Sequence, residues 1–81
     1  MITKETQYLI FEETAVPPHF KTGRWVVRNK ESGIPLGTIE WYSHWRQYCF
    51  LIYTDHGAVY SRSCMKDIID FIDEQMEKRK A

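Results

Sequence analysis

Three histidines and two cysteines are the nitrogen and sulfur side chains of this chain that could hold a metal. His19, His44, His56, Cys49 and Cys64 fall in no CxxC, HxxxH or HExxH spacing. Nothing therefore sets two ligands on one tight turn or one helical face, as zinc coordination requires. Solvated loop histidines and two reduced, structural cysteines are the better reading. Nucleophilic chemistry has one candidate in Cys64, near the expected start of a helix, where the dipole favours thiolate. Asp55-His56 would have to meet it in space to supply a base. Its phase with Ile68 and Ile72 sets it on an apolar stripe instead. No glycine-rich phosphate cradle or oxyanion loop accompanies it, since the four glycines stand singly. We expect no enzyme, no metal and no cofactor.

Binding chemistry has a stronger claim. Tyr, Trp and Arg are enriched at hot spots, and they gather in Leu36 to Tyr53, LGTIEWYSHWRQYCFLIY. That stretch holds two of the three tryptophans and three of the five tyrosines, with Glu40 and Arg46 its only formal charges. It reads as a β-hairpin turning at Ser43-His44, with Tyr42 opposite Trp45. Alternation then sets Thr38, Glu40, Tyr42, Trp45, Gln47, Cys49 and Leu51 on one face. Gly37, Ile39, Trp41, Arg46, Tyr48, Phe50 and Ile52 share the other, which is the core side. The first face gains Arg24 and Arg28 from the preceding strand. The candidate contact residues are Arg24, Arg28, Glu40, Tyr42, Trp45 and Gln47, with His44 and Arg46 at the tip. The bland alternative is that Arg46 and Trp45 brace the hairpin by cation–π packing. The same set could also stack unpaired bases.

The elements that must position these residues follow from the rest of the chain. Tyr8–Phe11 suits an edge or penultimate strand. Pro17-Pro18 opens a loop on which Phe20 is expected against the sheet margin. Arg24–Lys30 and Pro35–Tyr42 form a second hairpin through a turn at Asn29–Gly33. Gly37 marks a bulge or a close crossing by a bulky neighbour. After Trp45–Tyr53 come a turn at Thr54–Gly57, a short strand at Ala58–Tyr60, and a helix over Arg62–Lys78 capped by Ser61 or Ser63. Cys64, Ile68, Phe71 and Ile72 form its apolar stripe, widened by Met65, Ile69 and Met76, and the apolar sheet face is its only partner within the chain. Lys78-Arg79-Lys80 reads as a frayed, solubilising end. The expected fold is α+β: one domain over residues 1–81, with a four- to five-stranded antiparallel meander and one C-terminal helix packed on one face.

Composition narrows the partners. The 81 residues are 15% aromatic, enough to fill a small core without staples. Eleven basic residues balance eleven acidic ones. Non-specific nucleic-acid binders normally show a basic excess, and an acidic decoy of nucleic acid needs a negative one. Met1 is followed by a polar run rather than a secretory leader, and no apolar run approaches a membrane span. The expected place is the cytoplasm.

With these residues in hand, Leu36 to Phe50 resembles the pattern LGxIxWYxxWRQYxF found in short, uncharacterised proteins of bacteriophages and bacterial mobile elements. Cys64 to Ile72, CMKDIIDFI, is similar to the CLxDIxxFI helix of those proteins. The chain departs from them at Leu51 to Asp55, where it extends the strand instead of turning at proline. The resemblance covers about residues 25–72 and imports no assigned activity. It implies a phage-like origin, host cytoplasm as the location, and action by blocking a host protein, defence machinery included. The expected function is thus a non-enzymatic protein-binding module, inhibitor or adaptor, using the mixed face and hairpin tip. A small nucleic-acid-binding domain on the same face ranks second. Exposed Trp45 and Tyr42 equally suit a homodimer.

Overall fold

The computed structural model describes residues 1–53 and 59–80, the last by its backbone alone. Five strands precede one helix: β1 (Ile2–Glu5), β2 (Leu9–Glu13), β3 (Arg24–Asn29), β4 (Pro35–Tyr42), β5 (Gln47–Ile52) and α1 (Arg62–Lys80). The strands pair antiparallel in the order β1-β2-β3-β4-β5. The helix lies on one face, which is the α+β meander expected from the sequence.

The fifth strand is not where the sequence suggested. Val59 and Tyr60 lie outside any strand, while Ala58 and the expected turn at Thr54–Gly57 lie outside the described residues. The extra strand is β1, paired with β2 and broken by a register shift between Ile2 and Lys4. Apart from Ile2 its residues are polar, because an edge strand contributes little to the core. Thr3 Oγ1 accepts the Trp25 indole N–H at 3.1 Å, and Lys4 reaches Glu74 on α1 at 2.7 Å. The edge is thus tied by polar contacts that leave no apolar period to read.

The β4–β5 hairpin also departs from expectation. Tyr42 pairs with Gln47, not Trp45, so four residues, Ser43 to Arg46, make the loop. Loops of this length are commonly built around a β-turn, and the Trp45 N–H donates to Tyr42 O at 3.1 Å. Arg46 closes the loop in the left-handed region, at φ 54°. Trp45 and Arg46 therefore leave the sheet faces to which alternation assigned them. The other faces survive, because the true register differs by two residues and side-chain direction has period two.

The core sits between the sheet and α1. Leu9, Phe11, Trp25, Val27, Ile39 and Tyr48 from the sheet meet Ile68 and Phe71 from the helix, all buried. The Phe11 and Phe71 rings stack at 4.3 Å, and Trp25 stands edge-on to Phe71 at 5.3 Å. Ser61 caps α1, its Oγ accepting the Cys64 N–H at 3.1 Å; such a cap contributes about 1 kcal/mol. Phe20 stays half exposed at the sheet margin, edge-on to His19 at 4.9 Å.

Candidate functional site

A sheet with five strands has two edges, and here they differ in kind. Edge strands invite pairing by another chain unless they are short, bulged or charged. β1 has all three protections: four residues, a register shift, and Lys4 and Glu5. β5 has none of them, running Gln47-Tyr48-Cys49-Phe50-Leu51-Ile52 without a charge or a bulge.

The ladder decides which β5 groups face outward. The Tyr53 N–H donates to Leu36 O at 3.0 Å, so residues 47, 49 and 51 face β4 and residues 48, 50 and 52 face away. The outward Tyr48 N–H meets Met76 Sδ on α1 at 3.5 Å. Among the described residues, the outward N–H and C=O groups of Phe50 and Ile52 have no partner.

Alongside these groups runs an apolar groove of about 310 Å³, lined by Phe50, Ile52, Tyr60, Met65, Ile68, Ile69 and Ile72. It exists because the helix stripe is wider than the sheet beneath it. Cys64, Ile68, Phe71, Ile72 and Met76 pack on the core. Met65 and Ile69 overhang beyond β5, Ile69 being 58% exposed and Ile52 53%. The sheet face was thus not enough to cover the stripe expected to lie on it. Tyr60 forms one wall, its hydroxyl donating to Leu36 O at 3.4 Å. Burial, with Cys64 adding to it, raises the Tyr60 phenol above its ordinary pKa.

The residues singled out from sequence fall into two groups. Tyr42, His44 and Trp45 gather at the hairpin tip, with Tyr42–Trp45 centroids 4.9 Å apart and Tyr42–His44 5.2 Å apart. Trp45 is 66% exposed there. Beside them Gln47 is exposed, and Arg46 makes no ion pair among the described residues. The expected Arg46–Trp45 brace is absent among the described residues; the cation–π contact is Arg79 over Trp41, at 4.1 Å. Arg79 therefore belongs to a packed structure and not to a frayed tail.

Arg24, Arg28 and Glu40 form the other group, on the open sheet face. Arg24 pairs with Glu40 at 3.4 Å and Arg28 with Glu12 at 3.1 Å. Glu40 also accepts the Thr38 hydroxyl at 3.0 Å. Ion pairs this exposed contribute at most about 1 kcal/mol each, but they neutralise the face. The site and the tip are consequently separate from this lattice of paired charges.

A left-handed arginine has a testable cost. An L-residue in that conformation is strained by roughly 1–2 kcal/mol, part of which glycine returns through its flexible unfolded chain. Arg46→Gly should raise stability by about 0.5–1 kcal/mol in urea denaturation. An equal or lower stability would show that the loop strain is not real.

Among the described residues, no three His, Cys, Asp or Glu side chains gather to hold a metal ion. Asp55 and His56, the base considered for Cys64, lie outside the described residues. Cys49 and Cys64 are free thiols, with Cys49 on the open sheet face and Cys64 on α1. No described helix is long and apolar enough to cross a membrane.

Comparison with known proteins places the chain. No family model matches it, and no solved structure does. It is 35% identical over 80 residues to an uncharacterized 9.3 kDa protein of Acholeplasma phage L2, covering 99% of each chain. Identity at that level along the whole length of both chains is family kinship, and the chain belongs to the same family as this phage protein.

Proposed function

We propose that this protein is a non-enzymatic binding module that receives an extended, apolar segment of a partner protein along β5. The observation that carries it is the unpaired outward backbone of Phe50 and Ile52 beside an apolar groove. A strand added there would take its hydrogen bonds from the edge and place alternate side chains against Ile69, Met65 and Ile72. That is the physics of β-augmentation. The hairpin tip, with Tyr42, His44, Trp45, Arg46 and Gln47, supplies a second contact at the other end of the same strand.

Kinship with a phage protein supports a role inside the infected cell, in the host cytoplasm, against a host protein. Blocking such a protein, a defence component included, fits a small chain that carries a docking edge. The nucleic-acid alternative is weakened by the open face, where Arg24 and Arg28 are already held by carboxylates. Zero formal net charge weakens it further.

Ile52→Pro tests the edge without breaking the sheet. Its N–H points away from β4, so proline removes an outward donor and no internal ladder bond. The variant should keep its circular dichroism spectrum and lose a nuclease-resistant protein partner captured from host lysate. Trp45→Ala should weaken that capture and not abolish it. Equal capture by Ile52→Pro and wild type would overturn the edge assignment. Recovery of salt-sensitive, nuclease-removable RNA or DNA would replace the proposal with the nucleic-acid reading. Concentration-dependent sedimentation of the pure chain, lost in Ile52→Pro, would identify the occupant as a second copy.

A further inference from the structure

A second cavity lies at the C-terminal end of α1, away from the β5 groove. Its volume is about 390 Å³, and Glu13, Lys21, Gly23, Trp25, Tyr48, Gln75, Lys78 and Arg79 line it. This volume is within the range of small-molecule sites, roughly 300–1,000 Å³. Three cations face one carboxylate in that lining. Among the described residues, none of Lys21, Lys78 and Arg79 has an ion pair. Arg79 is nevertheless held in place, its guanidinium 4.1 Å above the Trp41 ring.

The neutral groups point to the same chemistry. Gln75 is only 7% exposed, and its Nε2 is a buried donor with no hydrogen-bond partner. Such an orphan is costly, and native structures retain few of them. The Tyr48 hydroxyl accepts the Gly23 N–H at 3.3 Å. Its own proton has no acceptor among the described residues. The cavity is thus rich in unspent donors and positive charge, and poor in acceptors. A ligand satisfying it must bring acceptor oxygens and negative charge. Trp25 and Tyr48 add aromatic surface for an organic body.

We propose that this cavity binds the oxyanion of a small organic acid, a phosphomonoester or a carboxylate of about mononucleotide size. The oxyanion meets Lys21, Lys78 and Arg79 and takes the hydroxyl of Tyr48, and a half-turn of the Gln75 amide brings its enclosed Nε2 to the ligand. Its occupation would also fix the end of α1 that carries Gln75 and Arg79.

The experiment titrates ¹⁵N-labelled protein with AMP, inorganic phosphate and succinate, with adenosine as the neutral control. The expected result is saturable shifts at the Gln75 side-chain amide, the Gly23 amide and the Trp25 indole, from AMP and at least one simple anion, and none from adenosine. The tighter of phosphate and succinate names the preferred group, and either supports the site. Gln75→Leu should melt no lower than wild type, because it removes the orphan donor, and should bind AMP at least tenfold more weakly. If that variant does not fold, Lys21→Ala/Lys78→Ala, which alters only exposed side chains, should show the same tenfold loss. Three results would overturn the proposal: no shift with any anion at millimolar concentration, equal shifts with adenosine, or undiminished binding by the variants.

Discussion

Phe71→Ala should remove about 3–5 kcal/mol of the protein's stability. The Phe71 ring is fully buried, stacked on Phe11 at 4.3 Å and met edge-on by Trp25 at 5.3 Å. It is therefore the contact that joins the helix to the middle of the sheet. Removing a buried phenylalanine costs about 3–5 kcal/mol, through lost transfer energy and the cavity left behind. A chain of this length has a total stability of roughly 4–12 kcal/mol, so the variant loses about a quarter of it at least, and all of it if the wild type lies at the low end. Urea denaturation followed by circular dichroism reads this directly. A loss below about 1 kcal/mol would mean that α1 does not pack on the sheet through this ring.

Gly37→Ala should be nearly as damaging, for a reason of opposite sign. A Cβ at Gly37 would meet the Leu51 carbonyl oxygen and stand 2.8 Å from the Phe50 ring. The carbonyl belongs to the β4–β5 ladder, where Thr38 pairs with Leu51, so it cannot retreat without opening the hairpin. Overpacking of this kind costs about 1–3 kcal/mol or more. Hydrogen exchange should locate the damage, with faster exchange at Thr38, Cys49 and Leu51 and little change in β2 and β3. The same substitution displaces Phe50 and so reshapes the groove. A variant with unchanged stability and exchange would refute the close approach.

Gly37 also shows what sequence can convey. A lone glycine in a strand signals either a bulge or a near neighbour, and at Gly37 the structure has both. The bulge is the register shift that leaves Leu36 without an opposite residue on β3, between Pro35 and Gly37. The hairpin faces were legible because Thr38, Glu40 and Gln47 alternate with Ile39, Trp41 and Tyr48. Its loop length was not, since Arg46 occupies a left-handed position that glycine or asparagine would have announced. β1 was hidden by its polar side chains.

The proposed docking site was only half legible. An exposed aromatic tip can be read from Tyr42, His44 and Trp45. The groove cannot, because the width of an apolar helix stripe does not say how many strands lie beneath it. Met65 and Ile69 look like core until the sheet is seen to end at β5. Nor does sequence reveal that Arg24 and Arg28 are occupied, or that Gln75 is buried without a partner. Pairing and orphaning are properties of the packed state. The uncharged run Gln47–Ile52 was the available clue that this strand is an unprotected edge.

Whether β5 is a docking edge is decided by capture from host lysate with wild type and Ile52→Pro, side by side and with nuclease present. The expected result is one stoichiometric protein bound to wild type and absent from the proline variant, with both chains folded. The same protein recovered equally from both would contradict it.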